Sequence, residues 1–296
     1  MKRLRDRYRA LLLDLDGTLY RGHEVIEGAP EALTASGEAA QRLVYVTNNA
    51  SRGSAVVAAH LADLGFPASA DDVVTSAQAA ARLLAERLDP GAQVLVVGTD
   101  DLAAEVDAVG LRSIRRFNGA APAAVVQGHS PHTAWPDLAE AAYALRADAL
   151  WVAANTDKTL PNERGLAPGN GAMVAALRAA SEREPVVAGK PYPPLLEDAL
   201  VRANSRSALV VGDRLDTDIE GANRVGLDAL LVLTGVSTLD ELREAPDERI
   251  PTYVCDSLDA LNHAPVDPQP DADLGEVLRR NPGRAVTVRA SGSEIR

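Results

Sequence analysis

The stretch Ala10-Leu-Leu-Leu-Asp14-Leu-Asp16-Gly17-Thr18-Leu19 decides the fold of this chain. Its apolar run ends in two carboxylates and a turn signal, and such a run predicts a strand buried on both faces of a parallel sheet. Because side chains alternate along a strand, Asp14 and Asp16 are expected on one side of its carboxyl end, where open α/β sheets bind ligands. Two like charges repel each other there, so the pair predicts a nearby cation, most simply a metal ion.

Composition limits the classes of protein. The chain has 296 residues, 46% of them hydrophobic and 24% charged, which is enough for one large or two modest domains with a core. Lys and Arg total 30 against 42 Asp and Glu, and the net charge of −12 argues against a general binder of nucleic acid or anionic membranes. The single cysteine, Cys255, excludes an intramolecular disulfide. With no signal-peptide or membrane-span pattern, a cytoplasmic location is expected.

Predicted strands and helices alternate along the chain, which indicates a parallel sheet and an α/β fold. A second alternating series, over residues 79–186, predicts a smaller α/β domain inserted into the first, whose parts are 8–78 and 187–262. Residues 263–296 are expected to form a C-terminal extension, partly disordered, with its disordered end at 290–296. Within the core, the pattern predicts helices at 30–41 and 216–225.

Two short motifs follow the ends of later predicted strands. Thr47-Asn48-Asn49 offers a hydroxyl and backbone N–H groups to phosphate oxygens, although the same residues in isolation would be a polar turn. Gly189-Lys190-Pro191 places a compact positive charge at a strand end, where it would neutralise a carboxylate and a phosphate. Most lysines are solvated surface residues, and only the unusual Gly-Lys-Pro context favours the second interpretation here.

The last motif is Gly212-Asp213-Arg-Leu-Asp216-Thr217-Asp218, and it again follows an apolar strand. Mg²⁺ prefers oxygen ligands and keeps several waters, so a few carboxylates are enough to bind it. A calcium loop starting at Asp216 is the rival interpretation, and it fails because its twelfth position is Leu227 rather than Glu. Asp216 either belongs to the motif or is only a helix cap.

Taken in order, these four motifs resemble those of the haloacid dehalogenase superfamily. The resemblance covers roughly residues 8–262 and points to the branch of p-nitrophenylphosphatases and phosphoglycolate phosphatases. It implies a Rossmann-like parallel-sheet core with an inserted cap domain of type IIa at 79–186. The segment at 231–239 is also similar to phosphoglycolate and glycerol-3-phosphate phosphatases, and the whole chain most resembles the actinobacterial members of the latter group.

The resemblance implies hydrolysis of phosphomonoesters with Mg²⁺ as cofactor, through an aspartyl-phosphate intermediate. Asp14 would be the nucleophile, and Asp16 would act as general acid and base. Residues of the second and third motifs would bind the phosphate: Thr47, Asn48, Asn49 and Lys190. The magnesium ligands would be two carboxylates and one backbone carbonyl, with a further carboxylate in support: Asp14, Asp213, the carbonyl of Asp16, and Asp218.

Substrate choice is expected to depend on the cap, where Asn155, Asp157 and Leu160 are the candidate specificity residues. Leu160 stands where relatives specific for pyridoxal phosphate tend to carry His. This favours a small aliphatic phosphate such as glycerol 3-phosphate, with 2-phosphoglycolate and pyridoxal phosphate as alternatives. The expected partner is therefore a small phosphorylated metabolite, and caps of this type also imply the option of a homodimer.

Other classes of protein remain open at this point. A dehalogenase is disfavoured because its leaving halide needs no proton, whereas Asp16 is present. A phosphotransferase or sugar mutase would have a similar site but usually carries its cap after the first motif. A non-catalytic protein that binds a phosphorylated metabolite is the remaining alternative, and the intact set of Asp14, Asp16, Lys190 and Asp213 argues against it.

Overall fold

The computed structural model of the chain describes residues 2–34, 41–162, 164–269 and 272–288. Its strands are β1 (Ala10–Leu13), β2 (Tyr20–Arg21), β3 (Glu24–Val25), β4 (Arg42–Thr47), β5 (Val73–Thr75), β6 (Gln93–Val97), β7 (Arg112–Ile114), β8 (Ala124–Gln127), β9 (Leu150–Ala153), β10 (Thr159–Asn162), β11 (Gly165–Pro168), β12 (Val186–Val187), β13 (Ala208–Gly212), β14 (Asp228–Val232), β15 (Tyr253–Cys255) and β16 (Val286–Thr287).

The helices alternate with these strands for most of the chain: α1 (Ala29–Thr34), α2 (Ser54–Asp63), α3 (Ser76–Ala85), α4 (Asp100–Ala108), α5 (Trp135–Arg146), α6 (Asn170–Ser181), α7 (Pro193–Ala203), α8 (Glu220–Arg224), α9 (Leu239–Arg243) and α10 (Leu274–Arg280). Short 3₁₀ segments lie at Arg5–Arg7, Ala70–Asp72, Asp247–Arg249 and Leu258–Asn262, and a π-helical turn at Leu215–Ile219. Within the described ranges, none of the helices is long and apolar enough to cross a membrane.

The larger sheet has the strand order β16-β15-β14-β13-β1-β4-β5. Strand β1 lies between β13 and β4 and is parallel to both, with Leu12 opposite Val210 on one side and Val44 on the other. Every residue of β1 is fully buried, as expected for a central strand that is covered on both faces. The apolar run that opens the sequence is therefore the middle of the sheet.

A second sheet has the strand order β12-β9-β8-β6-β7, and each of its strands is parallel to its neighbours. Helices α5 and α6 contribute Leu145, Val174 and Leu177 to one apolar cluster with Trp151 of β9. Parallel pairing of β1 with its neighbours and of the strands in the second sheet confirms the predicted α/β fold class, although the edge strand β16 pairs antiparallel with β15.

The chain divides into two compact units. The first contains the described residues of Met1–Val46, Ala58–Val73 and Leu196–Arg296, and the second contains Thr47–Val57 and Val74–Leu195. The second unit thus includes the segment that carries the predicted Thr47-Asn48-Asn49 motif. The domain limits inferred from the sequence, 8–78 with 187–262 and 79–186, stay a prediction.

Several local features differ from the sequence-based expectations. In place of one helix over 216–225, a π-helical turn precedes the short α8, because the backbone carbonyl of Arg214 accepts hydrogen bonds from the N–H groups of Asp218 and Ile219. The candidate specificity residue Leu160 lies in the hairpin β10–β11, which the sequence analysis does not predict. The second half of the helix predicted at 30–41 and the predicted disordered end at 290–296 lie outside the described residues.

Candidate active site

Three carboxylates meet at the carboxyl ends of two neighbouring strands in the first unit. Asp14 follows β1, Asp213 follows β13, and Asp218 lies in the π-helical turn. One oxygen of each carboxylate lies within 4.8 Å of the other two. Asp213 and Asp218 are buried, with 0% and 1% of their surface exposed, and Asp14 is half-buried. We call these three residues the carboxylate cluster.

The backbone around the carboxylate cluster explains its geometry. The parallel pairing of β1 with β13 continues one residue further, since the N–H of Asp14 donates to the carbonyl of Val211 at 2.9 Å. The N–H of Val236 donates to Oδ2 of Asp213 at 2.7 Å, and the N–H of Arg214 donates to Oδ2 of Asp218 at 3.1 Å. Backbone donors thus orient two of the three carboxylates.

Two glycines leave the space that the Asp213 carboxylate occupies. A Cβ added at Gly17 or at Gly235 would overlap Oδ2 of Asp213. Gly17 also has a φ of +85°, a conformation that residues with side chains rarely adopt. Both positions therefore depend on glycine for close approach of the backbone to the carboxylate.

The carboxylate cluster fits a divalent cation of the hard, oxygen-preferring type. Three carboxylates at this separation repel one another, and a cation between them offsets that repulsion. The donor set contains only oxygen atoms, as Mg²⁺ prefers, whereas zinc sites usually include Cys or His. The observed trio contains Asp14, Asp213 and Asp218, all of them predicted for the metal site from the sequence.

Asp16 and Asp216 lie outside the carboxylate cluster. The Asp16 side chain is exposed, and its Oδ1 accepts from the N–H of Gly22 at 3.4 Å. Asp216 accepts hydrogen bonds from Nε and Nη2 of Arg214 at 3.0 and 2.9 Å. Although burial opposes ionisation of Asp216, these bonds and the charge of Arg214 hold the pKa of that carboxyl below its ordinary value.

In the second unit, Asn48 forms hydrogen bonds with three other predicted site residues. Its Oδ1 accepts from the backbone N–H of Lys190 at 2.8 Å. Its Nδ2 donates to the carbonyl of Lys190 at 3.0 Å and to the carboxylate of Asp157 at 3.2 and 3.3 Å. In turn, the carbonyl of Asn48 accepts from Nδ2 of Asn155 at 2.6 Å and from Oγ of Ser76 at 2.5 Å. We call this set the Asn48 junction.

Among the predicted residues of the second unit, Thr47 and Asn49 have partners close by in the chain, and Leu160 and Lys190 differ in burial. Oγ1 of the buried Thr47 accepts from the N–H of Asn49 at 3.0 Å. Oδ1 of Asn49 accepts from the N–H and Oγ of Ser51 at 2.8 and 2.6 Å. Leu160 lies in β10 and is 38% exposed, whereas Lys190 is almost fully buried.

Sequence reasoning missed the residues that support these groups. Ser76 and the loop Thr234–Val236 were not predicted to belong to a site. Ser76 bonds to Asn48 across 28 positions of the chain, and Val236 bonds to Asp213 across 23. The one available signal was Thr234-Gly235 directly after an apolar strand, which marks a strand end of the same kind as Gly17-Thr18.

Comparison with known proteins shows the family of the chain. A model of the haloacid dehalogenase-like hydrolases matches residues 11–112, and a HAD-hydrolase-like model matches residues 187–261. D-glycerol 3-phosphate phosphatase of Mycobacterium tuberculosis is 54% identical over 298 residues, which cover 99% of this chain and 81% of that protein. Glycerol-3-phosphate phosphatase of Gallus gallus is 40% identical over 84% of this chain and 89% of its own length.

A solved structure is similar as well. The crystal structure of glycerol phosphate phosphatase from Mycobacterium tuberculosis in complex with magnesium has a TM-score of 0.83 and 57% sequence identity, covering 87% of this chain and 78% of that chain. The present chain therefore belongs to the haloacid dehalogenase-like hydrolases. This confirms the family and the fold class that the four motifs predicted.

Proposed function

We propose that this protein is a Mg²⁺-dependent phosphatase that hydrolyses glycerol 3-phosphate. The observation that carries the proposal is the carboxylate cluster, in which Asp14, Asp213 and Asp218 converge within 4.8 Å at the carboxyl ends of β1 and β13. A buried set of like charges at this edge of a parallel sheet is suited to a cation and, through it, to an anionic substrate.

The reaction proceeds in two steps that use the first motif. An oxygen of Asp14 attacks phosphorus, and the bond from phosphorus to the glycerol oxygen breaks, leaving an aspartyl-phosphate. Asp16 donates a proton to the departing oxygen and then accepts a proton from the water that attacks the aspartyl-phosphate. The exposure of the Asp16 side chain suits this role, since it must exchange protons with substrate and water. The water oxygen bonds to phosphorus as the bond from phosphorus to the Asp14 oxygen breaks, which releases inorganic phosphate and returns Asp14 as a carboxylate.

The proposed magnesium ligands are the carboxylates of Asp14 and Asp213 and the backbone carbonyl of Asp16, with Asp218 supporting the site. When bound, Mg²⁺ supplies positive charge that offsets the repulsion between an anionic nucleophile and an anionic phosphate. The hydrogen bonds to Asp213 and Asp218 from Val236 and Arg214 support these assignments, because ligand carboxylates need fixed orientations.

Phosphate binding is proposed for the residues of the second and third motifs. Thr47 would donate from its hydroxyl, and Lys190 would contribute its ammonium charge to the phosphate oxygens. Since the side chain of Asn48 is used within the Asn48 junction, Asn48 would contribute through its backbone N–H. Asn49 would complete the set from the same turn.

The substrate is proposed on two grounds. Two relatives, at 54% and 40% identity, are named glycerol-3-phosphate phosphatases. Leu160, with Asn155 and Asp157 as the other proposed specificity residues, presents an aliphatic side chain rather than an imidazole, which favours a small aliphatic ester over pyridoxal phosphate. We further propose that the protein forms a homodimer through the inserted domain at 79–186. Light scattering coupled to size-exclusion chromatography would test this. We also propose a cytoplasmic location.

The proposal is tested by Mg²⁺-dependent phosphate release from a panel of substrates. The panel contains glycerol 3-phosphate, 2-phosphoglycolate, pyridoxal 5′-phosphate, a sugar phosphate and a nucleotide, with the Asp14→Asn variant as control. A strong, metal-dependent preference for glycerol 3-phosphate is expected. Broad, weak hydrolysis would contradict the substrate but not the phosphatase class, and folded protein that binds phosphate esters without hydrolysing any would contradict both.

A further inference from the structure

We propose that Arg21 is a positioning residue for the proposed magnesium site, and that it acts through the loop Thr234–Val236. The inference rests on the proposed function, because it assigns a role to a residue beyond the four motifs. Arg21 ends β2, the first strand of the hairpin β2–β3. Its Nε donates to the carbonyl of Thr234 at 2.8 Å, and its Nη2 donates to the same carbonyl.

The loop that Arg21 contacts holds the Asp213 carboxylate. Oγ1 of Thr234 donates to the carbonyl of Gly17 at 2.7 Å, which joins the loop to the turn after β1. Two residues further, the N–H of Val236 donates to Oδ2 of Asp213 at 2.7 Å. Gly235, between them, lies so close to that carboxylate that an added Cβ would overlap it. A small shift of this loop therefore changes the position of a carboxylate oxygen.

The hairpin that carries Arg21 is also joined to the turn that carries Asp16. The N–H of Gly17 donates to the carbonyl of Tyr20 at 2.7 Å, and the N–H of Gly22 donates to Oδ1 of Asp16 at 3.4 Å. The ring of Tyr20 packs edge-on against His60 of α2, with 5.1 Å between ring centroids. Arg21 therefore joins two elements. One is its own hairpin, which contacts α2 and the turn that carries Asp16, and the other is the loop that orients Asp213.

The loop needs such a connection because it is exposed. Gly235 and Val236 are exposed to solvent, with Val236 at 62%, and exposed loops have few contacts that restrict them. Mg²⁺ demands nearly ideal octahedral geometry, so looser orientation of Asp213 should appear first as weaker binding of the ion. The chemical step should be affected little once the ion is bound.

The test compares Arg21→Gln with Arg284→Gln as a matched control. Nε and Nη2 of Arg284 also donate to a single carbonyl, that of Ala264, at 3.2 and 2.7 Å. Mg²⁺ affinity is measured on the full chain by isothermal titration calorimetry, without substrate, and the Mg²⁺ dependence of phosphate release is measured in parallel. For Arg21→Gln we expect Mg²⁺ binding to be roughly 3- to 10-fold weaker, which corresponds to the net free energy of one ordinary hydrogen bond, because the contact of Arg21 with Thr234 is exposed.

Saturating Mg²⁺ should restore kcat of Arg21→Gln to near the wild-type value, and Arg21→Lys, which keeps the charge and one donor, should bind Mg²⁺ with intermediate affinity. Arg284→Gln should bind Mg²⁺ like the wild type. Wild-type Mg²⁺ affinity in Arg21→Gln, or an equal loss in both Gln variants, would overturn the inference. If the wild type binds Mg²⁺ but hydrolyses no substrate, the proposed function fails, while the calorimetric comparison still decides the role of Arg21.

Discussion

The carboxylate cluster and the Asn48 junction both include residues that follow parallel strands, yet they are built from opposite chemistry. The cluster brings together Asp14, Asp213 and Asp218, whose like charges repel. The junction is centred on Asn48, whose neutral amide both donates and accepts, so that it bonds to Lys190 and Asp157. The first arrangement suits a bound cation, whereas the second consists of hydrogen bonds within the protein.

This difference separates residues that bind a ligand from residues that stabilise the fold. A cluster of like charges lowers stability until a ligand neutralises it, so its free energy depends on the solution. A set of paired amides contributes the same hydrogen bonds whether or not a ligand is present. The two regions should therefore respond differently to substitution and to magnesium, and the following experiments measure that difference.

The largest effect is expected at Asp14. Replacing it as Asp14→Asn removes the nucleophile while keeping the shape of the side chain, so phosphate release should fall by about 10³-fold or more. The thermal unfolding midpoint should stay close to that of the wild type or rise, because one of the repelling charges is lost. An Asp14→Asn variant with full activity would contradict the proposed reaction.

Removal of magnesium tests the need of the carboxylate cluster for a cation. With excess chelator, wild-type activity should disappear, and adding Mg²⁺ at about 100 times its Kd should stabilise the fold by roughly 2.7 kcal/mol. Asp213→Asn should lose most of that Mg²⁺-dependent stabilisation, because a neutral amide is a poor ligand at a buried site. A midpoint of Asp213→Asn that rises with Mg²⁺ as much as the wild-type midpoint would exclude Asp213 as a ligand.

The Asn48 junction should lose stability without regard to magnesium. Asn48→Ala removes hydrogen bonds to the backbone of Lys190 and to Asp157, and we expect the free energy of unfolding to fall by about 1–3 kcal/mol. The loss, measured by urea denaturation, should be equal with and without Mg²⁺. Asn49→Ala is the matched control, since among the described residues its side chain bonds to the nearby Ser51, and it should cost less. A Mg²⁺-dependent loss in Asn48→Ala would break the distinction between the two regions.

The smallest effect is expected at Asp216, which lies near the carboxylate cluster in sequence but pairs with Arg214. The pKa of Asp216 in the folded state lies below its ordinary value of 3.8. Its ionised carboxylate therefore stabilises the fold above pH 3.8, and this stabilisation is lost as the pH falls through the lower folded-state pKa. Asp216→Asn should be slightly less stable than the wild type at pH 7. The difference should vanish in strong acid, and a difference that persists there would refute the assignment to ionisation.

Much of the proposed site could be predicted from short segments of sequence. The run at 10–13 predicts a doubly buried strand, and the resemblance of the four motifs to a known superfamily selected Asp14, Asp213 and Asp218 among the acidic residues that follow apolar strands. The structure does bring those three carboxylates together. The hairpin β2–β3, the π-helical turn at Leu215–Ile219 and the hairpin β10–β11 were not predicted, since strands of two to four residues and a single helical turn are too short to show a clear apolar period.

The sequence by itself determined the α/β class, the family and the set of charged residues, because apolar periodicity and the spacing of Asp residues are local properties of the chain. Only the tertiary structure decided the neighbours of those residues. The amide of Asn48 bonds to Lys190 across 142 positions, and Arg21 bonds to Thr234 across 213. Such pairs depend on how the strands and loops are arranged in space, and a single sequence carries no local signal for them.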